Sequence, residues 1–184
     1  MRVLALAGVL VLAQHTEGNA SPLSVGLAPS TYTLSDDSQG FAPEAFVHTY
    51  VALGSGLFLR PGARLGARGV LQPDMPVGVR IIERDLTGLF EAAISYNGSV
   101  VPSLTVMSGI HVRSIHVEGD GVDVRMSRAS ATELLPNISV QLGIGLPLAR
   151  GTWLVEPTIR RELLLGDSRA GWRFGIEVSF ALRD

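Results

Sequence analysis

The sequence predicts an all-β protein, a closed antiparallel up-and-down barrel of about eight strands that crosses a membrane. The first observation is the alternation of large apolar residues with polar or small ones over Gly171–Leu182. Successive strand residues point to opposite faces, so this segment has one apolar face, and it is long enough to span a bilayer as a tilted strand. The second observation is that this pattern recurs through the chain. The third is that short and long connections alternate between the segments.

The composition suits a protein whose outer surface contacts lipid. Charged residues make up only 17% of the 184 residues, against about 25% in soluble domains. The absence of cysteine excludes disulfides, thiolate metal sites and cysteine nucleophiles. A net charge of −2 gives no electrostatic case for binding nucleic acid. The sequence contains no glycine-rich phosphate loop, dinucleotide fingerprint or calcium-loop motif, so we expect neither cofactor nor metal.

Residues 1–20 have the pattern of a secretory signal peptide, and residues 21–184 form the predicted barrel domain. Arg2 supplies a positive start, and the apolar run over 3–12 is too short for a spanning helix. Small residues suit cleavage after Ala13 or Ala20. We expect export and removal of this segment.

Eight segments show strand patterning, and none after residue 20 shows helical periodicity. They are residues 23–34, 43–53, 57–69, 86–96, 103–117, 137–148, 152–163 and 171–182. Glycine-containing tight turns are predicted at 54–56, 97–99 and 149–151, whereas longer polar connections occupy 35–42, 71–76, 118–133 and 164–170. Membrane barrels have short periplasmic turns and longer outer loops, so an even strand count places both termini in the periplasm.

Aromatic residues concentrate toward the ends of these segments. Tyr50, Phe58, Tyr96, Trp153 and Phe180 lie toward the short-turn end, and Tyr32, Phe46 and Trp172 lie toward the long-loop end. Two levels of rings are typical of the aromatic girdles of membrane barrels.

The stretch 23–182 resembles the small eight-stranded outer-membrane barrels, the class of the OmpA membrane domain and OmpX. The strand–turn–strand–loop–strand rhythm of PNISVQLGIGLPLARG, TWLVEPTIRREL and GWRFGIEVSF carries the resemblance. It implies residence in the outer membrane of a Gram-negative bacterium, with membrane lipid and the barrel assembly machinery as partners. The extracellular partner is unknown.

Alternation alone does not say which face points outward, because a soluble lipocalin-like barrel has apolar residues inside. The small number of charged residues favours an apolar face toward lipid. The predicted lipid-facing residues are Ile138, Val140, Leu142, Ile144, Leu146, Trp172, Phe174, Ile176, Val178 and Phe180. The opposite face carries charges of both signs, at Arg60, Arg64, Arg68, Glu91, Arg113, Glu156, Arg160, Glu162, Arg173 and Glu177. Since an eight-stranded barrel is just wide enough for side chains, we interpret this set as an interior charge network rather than a selectivity filter.

Arg60, Arg64 and Arg68 recur every four residues on one strand face. They form either a ladder for anions or one half of a set of ion pairs. Acidic residues are available in similar number, so we favour pairing with Glu91, Glu156 and Glu177.

His111, Ser114, His116 and Glu118 supply the residue types of acyl-transfer catalysis. Lipid A deacylases, which share this barrel class, carry a His-x-Ser arrangement that this chain lacks, and strand parity separates His111 from Ser114. We therefore interpret these residues as polar side chains that leave the membrane for a loop. The favoured function is a non-enzymatic structural or interaction role through extracellular loops. The alternatives are a lipid-modifying barrel enzyme and a soluble ligand-binding barrel.

Overall fold

The structure, a computed structural model, describes residues 23–34, 39–71, 79–119, 129–148, 152–166 and 171–182. This part of the chain is all-β, and none of it forms a helix that would cross a membrane. The strands are β1 (Leu23–Ala28), β2 (Ser30–Leu34), β3 (Gln39–Phe41), β4 (Glu44–His48), β5 (Val51–Gly54), β6 (Leu57–Leu71), β7 (Val79–Tyr96), β8 (Val101–Gly119), β9 (Ala129–Leu148), β10 (Trp153–Leu164) and β11 (Gly171–Leu182). Residues 1–20 lie outside the described residues, as does the predicted turn at 149–151.

The described strands form a closed antiparallel barrel, which confirms the predicted fold class. Its wall has eight segments that each run from one rim of the barrel to the other, and we call each segment a stave. β1 and β2 together form the first stave and are separated at Pro29, and β3, β4 and β5 form the second. Proline has no N–H for the ladder, so strands break at such positions. The staves nevertheless stay paired, because the Pro29 carbonyl accepts from the Ile176 amide at 3.2 Å and the Pro43 carbonyl accepts from the Ala67 amide at 3.1 Å.

The barrel closes where β1 and β2 pair with β11, and β6 joins β7 to complete the circuit. Its shear follows from the registers. The row of paired residues runs Leu142, Ile159, Phe174, Thr31, Phe41, Gly69, Arg84, Ser114 and returns to β9 at Thr132. The return from position 142 to position 132 gives a shear of ten residues. With strands about 4.8 Å apart and a rise of about 3.3 Å per residue, this corresponds to a tilt of about 40°.

Two strands, β7 and β9, are much longer than the sequence pattern predicts, and β8 is longer by two residues at each end. β7 begins at Val79 rather than at residue 86, β8 ends at Gly119, and β9 begins at Ala129 rather than at residue 137. The predicted long loops at 35–42 and 118–133 are correspondingly shorter, and Gln39–Phe41 is a strand. These extensions carry charged and polar residues that look like loop in isolation, but they are paired across neighbouring strands.

The two faces of the wall differ sharply in chemistry. Large apolar side chains are exposed on the outside of every stave, including Leu142 at 56% and Phe90 at 63%. The inside is filled mainly by charged and polar side chains, with a small apolar contribution such as Tyr32 and Met107. The core of this protein is therefore polar, which is the reverse of a soluble barrel.

Candidate functional site

The barrel interior is a continuous network of buried ionisable side chains. Among the described residues, it contains six arginines, seven carboxylates and two histidines that are almost inaccessible to solvent. All ten side chains proposed above for an interior network lie in it. It also contains Glu44, His48, Glu83, Asp85 and His111. The network has three layers along the barrel axis, each organised around one of the β6 arginines.

The layer nearest the short turns is centred on Arg60 and Glu156. Arg60 donates from Nη1 to Glu156 Oε2 at 3.2 Å and from Nη2 to Oε1 at 3.4 Å. Ser103 donates its hydroxyl to the same carboxylate. Gly143 lies directly against this group, and a Cβ there would overlap the Glu156 carboxylate. A glycine on β9 thus makes room for the acid that neutralises Arg60.

The middle layer is centred on Glu44, whose carboxylate binds three arginines from three staves. Arg160 donates from Nη1 to Oε1 at 2.8 Å and from Nη2 to Oε2 at 2.6 Å, a bidentate pair. Arg173 donates to Oε1 at 2.5 Å, and Arg64 donates to Oε2 at 3.0 Å. Because β4, β6, β10 and β11 each supply a member, Glu44 ties the wall together across the lumen.

Arg64 connects this centre to two further acids. Its guanidinium contacts Glu91 Oε2 at 2.9 Å and Glu177 Oε1 at 2.7 Å, and it lies over the Phe46 ring at 4.8 Å. The other Glu91 oxygen is 2.5 Å from His48 Nε2. The pairing predicted for Arg60 and Arg64 therefore matches the observed partners Glu156, Glu91 and Glu177.

The layer nearest the long loops is centred on Arg68, which pairs with different acids from those predicted. Its guanidinium binds Asp85 and lies 3.8 Å from both Glu83 and Glu162. Arg173 Nε also contacts Glu162, at 2.7 Å. Arg113 contacts Glu83 at 3.0 Å and reaches the half-exposed Glu133 at 3.7 Å. This layer, which we call the upper layer, is the end of the described network nearest the long loops.

His111 lies inside this upper layer instead of leaving the barrel for a loop. Its Nδ1 is 3.0 Å from Thr87 Oγ1, and its Nε2 is 2.9 Å from Asp85 Oδ2. The order hydroxyl, imidazole and carboxylate has the form of a catalytic triad. However, all three side chains are buried and Asp85 is also paired with Arg68, so a substrate has no path to the Thr87 hydroxyl.

Of the remaining catalytic candidates, the structure describes only the Ser114 side chain. Ser114 is exposed on the outer wall, on the opposite face from His111. The side chains of His116 and Glu118 lie outside the described residues. Among the described side chains, no group of three or more His, Cys, Asp or Glu residues is arranged to hold a metal ion.

Two aromatic assignments are wrong. Tyr32 and Phe46 were expected in the girdle at the long-loop end, but both point into the barrel. The Tyr32 ring faces the Arg68 guanidinium at 4.8 Å, and its hydroxyl donates to the Gly69 carbonyl at 2.8 Å. Trp172 remains on the outer wall near that end, and Tyr96 and Trp153 are exposed on the outer wall near the short turns.

The ten residues predicted to face lipid all alternate with inward-pointing neighbours on β9 and β11. Eight of them are among the exposed large apolar side chains of the described surface, whereas Val178 and Phe180 are half-buried. Phe180 is partly covered by Trp153, whose ring centroid lies 4.9 Å away.

No protein-family model matches the chain, and no curated protein is similar to it in sequence. Solved structures match it closely in fold. A major outer membrane protein from Thermus thermophilus superimposes with a TM-score of 0.64 at 11% identity, covering 89% of this chain and 100% of that one. Neisserial surface protein A superimposes with a TM-score of 0.61 at 11% identity over 88% and 96%. The outer membrane enzyme PagL gives 0.54 at 11% identity over 85% and 99%. The chain thus has the fold of small outer-membrane β-barrels.

Proposed function

We propose that this chain is a bacterial outer-membrane barrel with a side-chain-filled interior, and that it acts through its long loops in a structural or interaction role. The observation that carries this proposal is the inverted distribution of polarity. Leucines, isoleucines and phenylalanines cover the outside, while arginines and carboxylates fill the inside. A protein with such an apolar surface would aggregate in water, whereas a bilayer requires an apolar outer band and a closed sheet.

The filled interior supports a closed barrel without a through-pore. Eight staves leave a lumen just wide enough for side chains, and here three layers of ion pairs bridge it from wall to wall. The most deeply buried large side chains include Arg64, Glu156 and Glu162, one from each of these layers. Passage of hydrated ions would require the pairs of every layer to separate.

The orientation of the barrel across the membrane is inferred from the alternation of short turns and long loops. The described tight turn between β5 and β6 has positive φ at Ser55 and Gly56, as a two-residue hairpin turn requires, and the turn between β7 and β8 spans only residues 97–100. We propose that these turns and both ends of the barrel domain face the periplasm, after removal of residues 1–20 and insertion by the barrel assembly machinery. The long loops then face outward, where function in rigid scaffolds is usually located.

A lipid-modifying enzyme is the second candidate, since the similar fold of PagL belongs to an outer membrane enzyme. The nearest approach to catalytic chemistry in the described residues is Thr87–His111–Asp85, which is sealed inside the charge network. Ser114 lies on the opposite face from His111, and the side chain of His116, which shares the face of Ser114 by strand parity, lies outside the described residues. The geometry therefore favours the non-enzymatic role, and mass spectrometry of lipid A with and without the protein distinguishes the two.

The first prediction concerns conductance. Purified protein that has folded into planar bilayers is expected to show no stable, large conductance steps, because the ion pairs of Arg60, Glu44 and Arg68 block the lumen at three levels. Heat-modifiable migration on gels verifies folding of the same preparation. The outward variant Arg84→Gln is the matched control and is expected to behave identically. Reproducible large steps from the folded wild type would show that the interior is a channel.

A further inference from the structure

Arg161 interrupts the apolar outer wall on β10. Arg161 lies on β10 between the inward-pointing Arg160 and Glu162, so its own side chain is on the outside, in line with Ile159 and Leu163. It pairs across the sheet with Val140 on β9 and Trp172 on β11. The guanidinium carbon lies 4.9 Å from the centroid of the Trp172 ring.

The position of this pair matches the outer edge of the membrane band. Arg161 is eight residues from Trp153 along β10, and Trp172 is eight residues from Phe180 along β11. At a tilt of about 40°, eight residues advance about 20 Å along the barrel axis. The apolar band of membrane barrels is about 25 Å tall and has aromatic rings at both borders. Trp153 and Phe180 therefore mark one border, and Arg161 and Trp172 mark the other.

Among the side chains that the structure describes, none on the outer wall is an acid that could neutralise this arginine. Every carboxylate whose side chain the structure describes is buried inside the barrel except Glu133, which reaches Arg113. The outward-pointing charged side chains of the described wall are Arg84 and Arg161, both cationic and both toward the long loops. On the long-loop side, the surface of the outer leaflet can supply an anionic group to Arg161.

We propose that Arg161 and Trp172 form a binding site for a phosphate group of a phosphorylated glycolipid in the outer leaflet, an inference that rests on the outer-membrane function proposed above. The cation–π contact with the indole holds the guanidinium through its charge, so its N–H groups stay available for a bidentate bond to phosphate. Thr33 pairs with Trp172 and continues the row with a hydroxyl on the next stave. The ring, the cation and the hydroxyl thus line one row at headgroup level.

Native mass spectrometry of the folded, delipidated protein tests this site. The probes are lipid A with two phosphates, the same lipid A without phosphate, and phosphatidylglycerol. The wild type is expected to bind the phosphorylated lipid A at least about tenfold more tightly than either other lipid. Arg161→Gln should abolish this preference, Arg161→Lys should retain only part of it, and the matched outward variant Arg84→Gln should keep it.

Three results would overturn the site. They are equal binding of all three lipids by the wild type, an unchanged preference in Arg161→Gln, or an equal loss in Arg84→Gln, which would indicate attraction by general positive charge. Folding into phosphatidylcholine vesicles is measured on the same preparations by gel mobility. A wild type that folds there but shows no lipid preference contradicts only this inference, whereas a wild type that remains soluble and does not insert contradicts the outer-membrane function itself.

Discussion

Replacing Glu44 with alanine is expected to lower the free energy of unfolding by about 3–5 kcal/mol, the range for breaking a buried ion pair by removing one partner. Glu44 accepts hydrogen bonds from Arg64, Arg160 and Arg173, and all four side chains are buried. Its loss leaves three guanidinium groups with fewer counter-charges inside the barrel. Urea unfolding from lipid vesicles, followed by the fluorescence of Trp153 and Trp172, measures the change.

Glu133→Ala is the matched control for Glu44→Ala. Glu133 is 50% exposed and lies 3.7 Å from Arg113, so its removal is expected to change the free energy of unfolding by less than about 1 kcal/mol. If Glu44→Ala does not fold at all, Glu44→Gln keeps the shape and some hydrogen bonds and is expected to fold with an intermediate loss. Equal stability of the Glu44 and Glu133 variants would contradict the central role of Glu44.

An arginine at Leu142 is expected to destabilise the inserted barrel by about 2–4 kcal/mol, the cost of this side chain on the lipid face near the bilayer midplane. Leu142 is exposed on β9 and pairs with Leu104 on β8 and Ile159 on β10, all outward-facing. Equilibrium folding into vesicles, compared with the wild type, gives the difference.

The barrel offers a control at the same face of the same strand. Thr132 is ten residues away on β9, level with the polar outward residues Arg84 and Ser114. Thr132→Arg lies beyond the apolar band and is expected to cost about 0–1 kcal/mol. If the two arginine substitutions have equal effects, the outer wall of β9 does not cross a hydrocarbon layer.

The barrel architecture and the lipid-facing residues were predictable where apolar residues alternate regularly with small or polar ones. Over 137–148 every outward residue is apolar and every inward one is small or polar, so parity alone assigns both faces. The interior position of Arg60 and Arg64 followed from the same rule, and their partners followed from charge balance. The assignment of faces depends only on residues one or two positions apart, whereas the ion-pair partners depend on the overall balance of charge in the interior.

The features that sequence reasoning missed depend on long-range pairing. On β4 the inward residues are Glu44, Phe46 and His48, a mixture with no apolar or polar character in common, so local alternation does not identify the inner face. Glu83 and Asp85 lie in a charged stretch that looks like loop, and only pairing with β6 and β8 extends β7 through them.

The inward positions of two aromatic residues, Tyr32 and Phe46, were missed for a related physical reason. Tyr32 and Phe46 are apolar enough for a membrane border, yet each packs its ring against an interior arginine. A cation–π contact stabilises a ring inside a charged lumen, and it is invisible without the partner strand. The inner face of β4 becomes identifiable only through its pairing with β6, where Phe46 lies opposite Arg64.

The most direct test of the account is the accessibility of spin labels placed singly along β9, from residue 137 to residue 148, in protein reconstituted into vesicles. Oxygen, which concentrates in the hydrocarbon, is expected to reach labels at Ile138, Val140, Leu142, Ile144 and Leu146. Labels at Ser139 and Gln141, which point into the filled interior, should be shielded from oxygen and from a water-soluble nickel complex alike. Access of the nickel complex to the even-numbered positions would show that this face contacts water, and would contradict a membrane barrel.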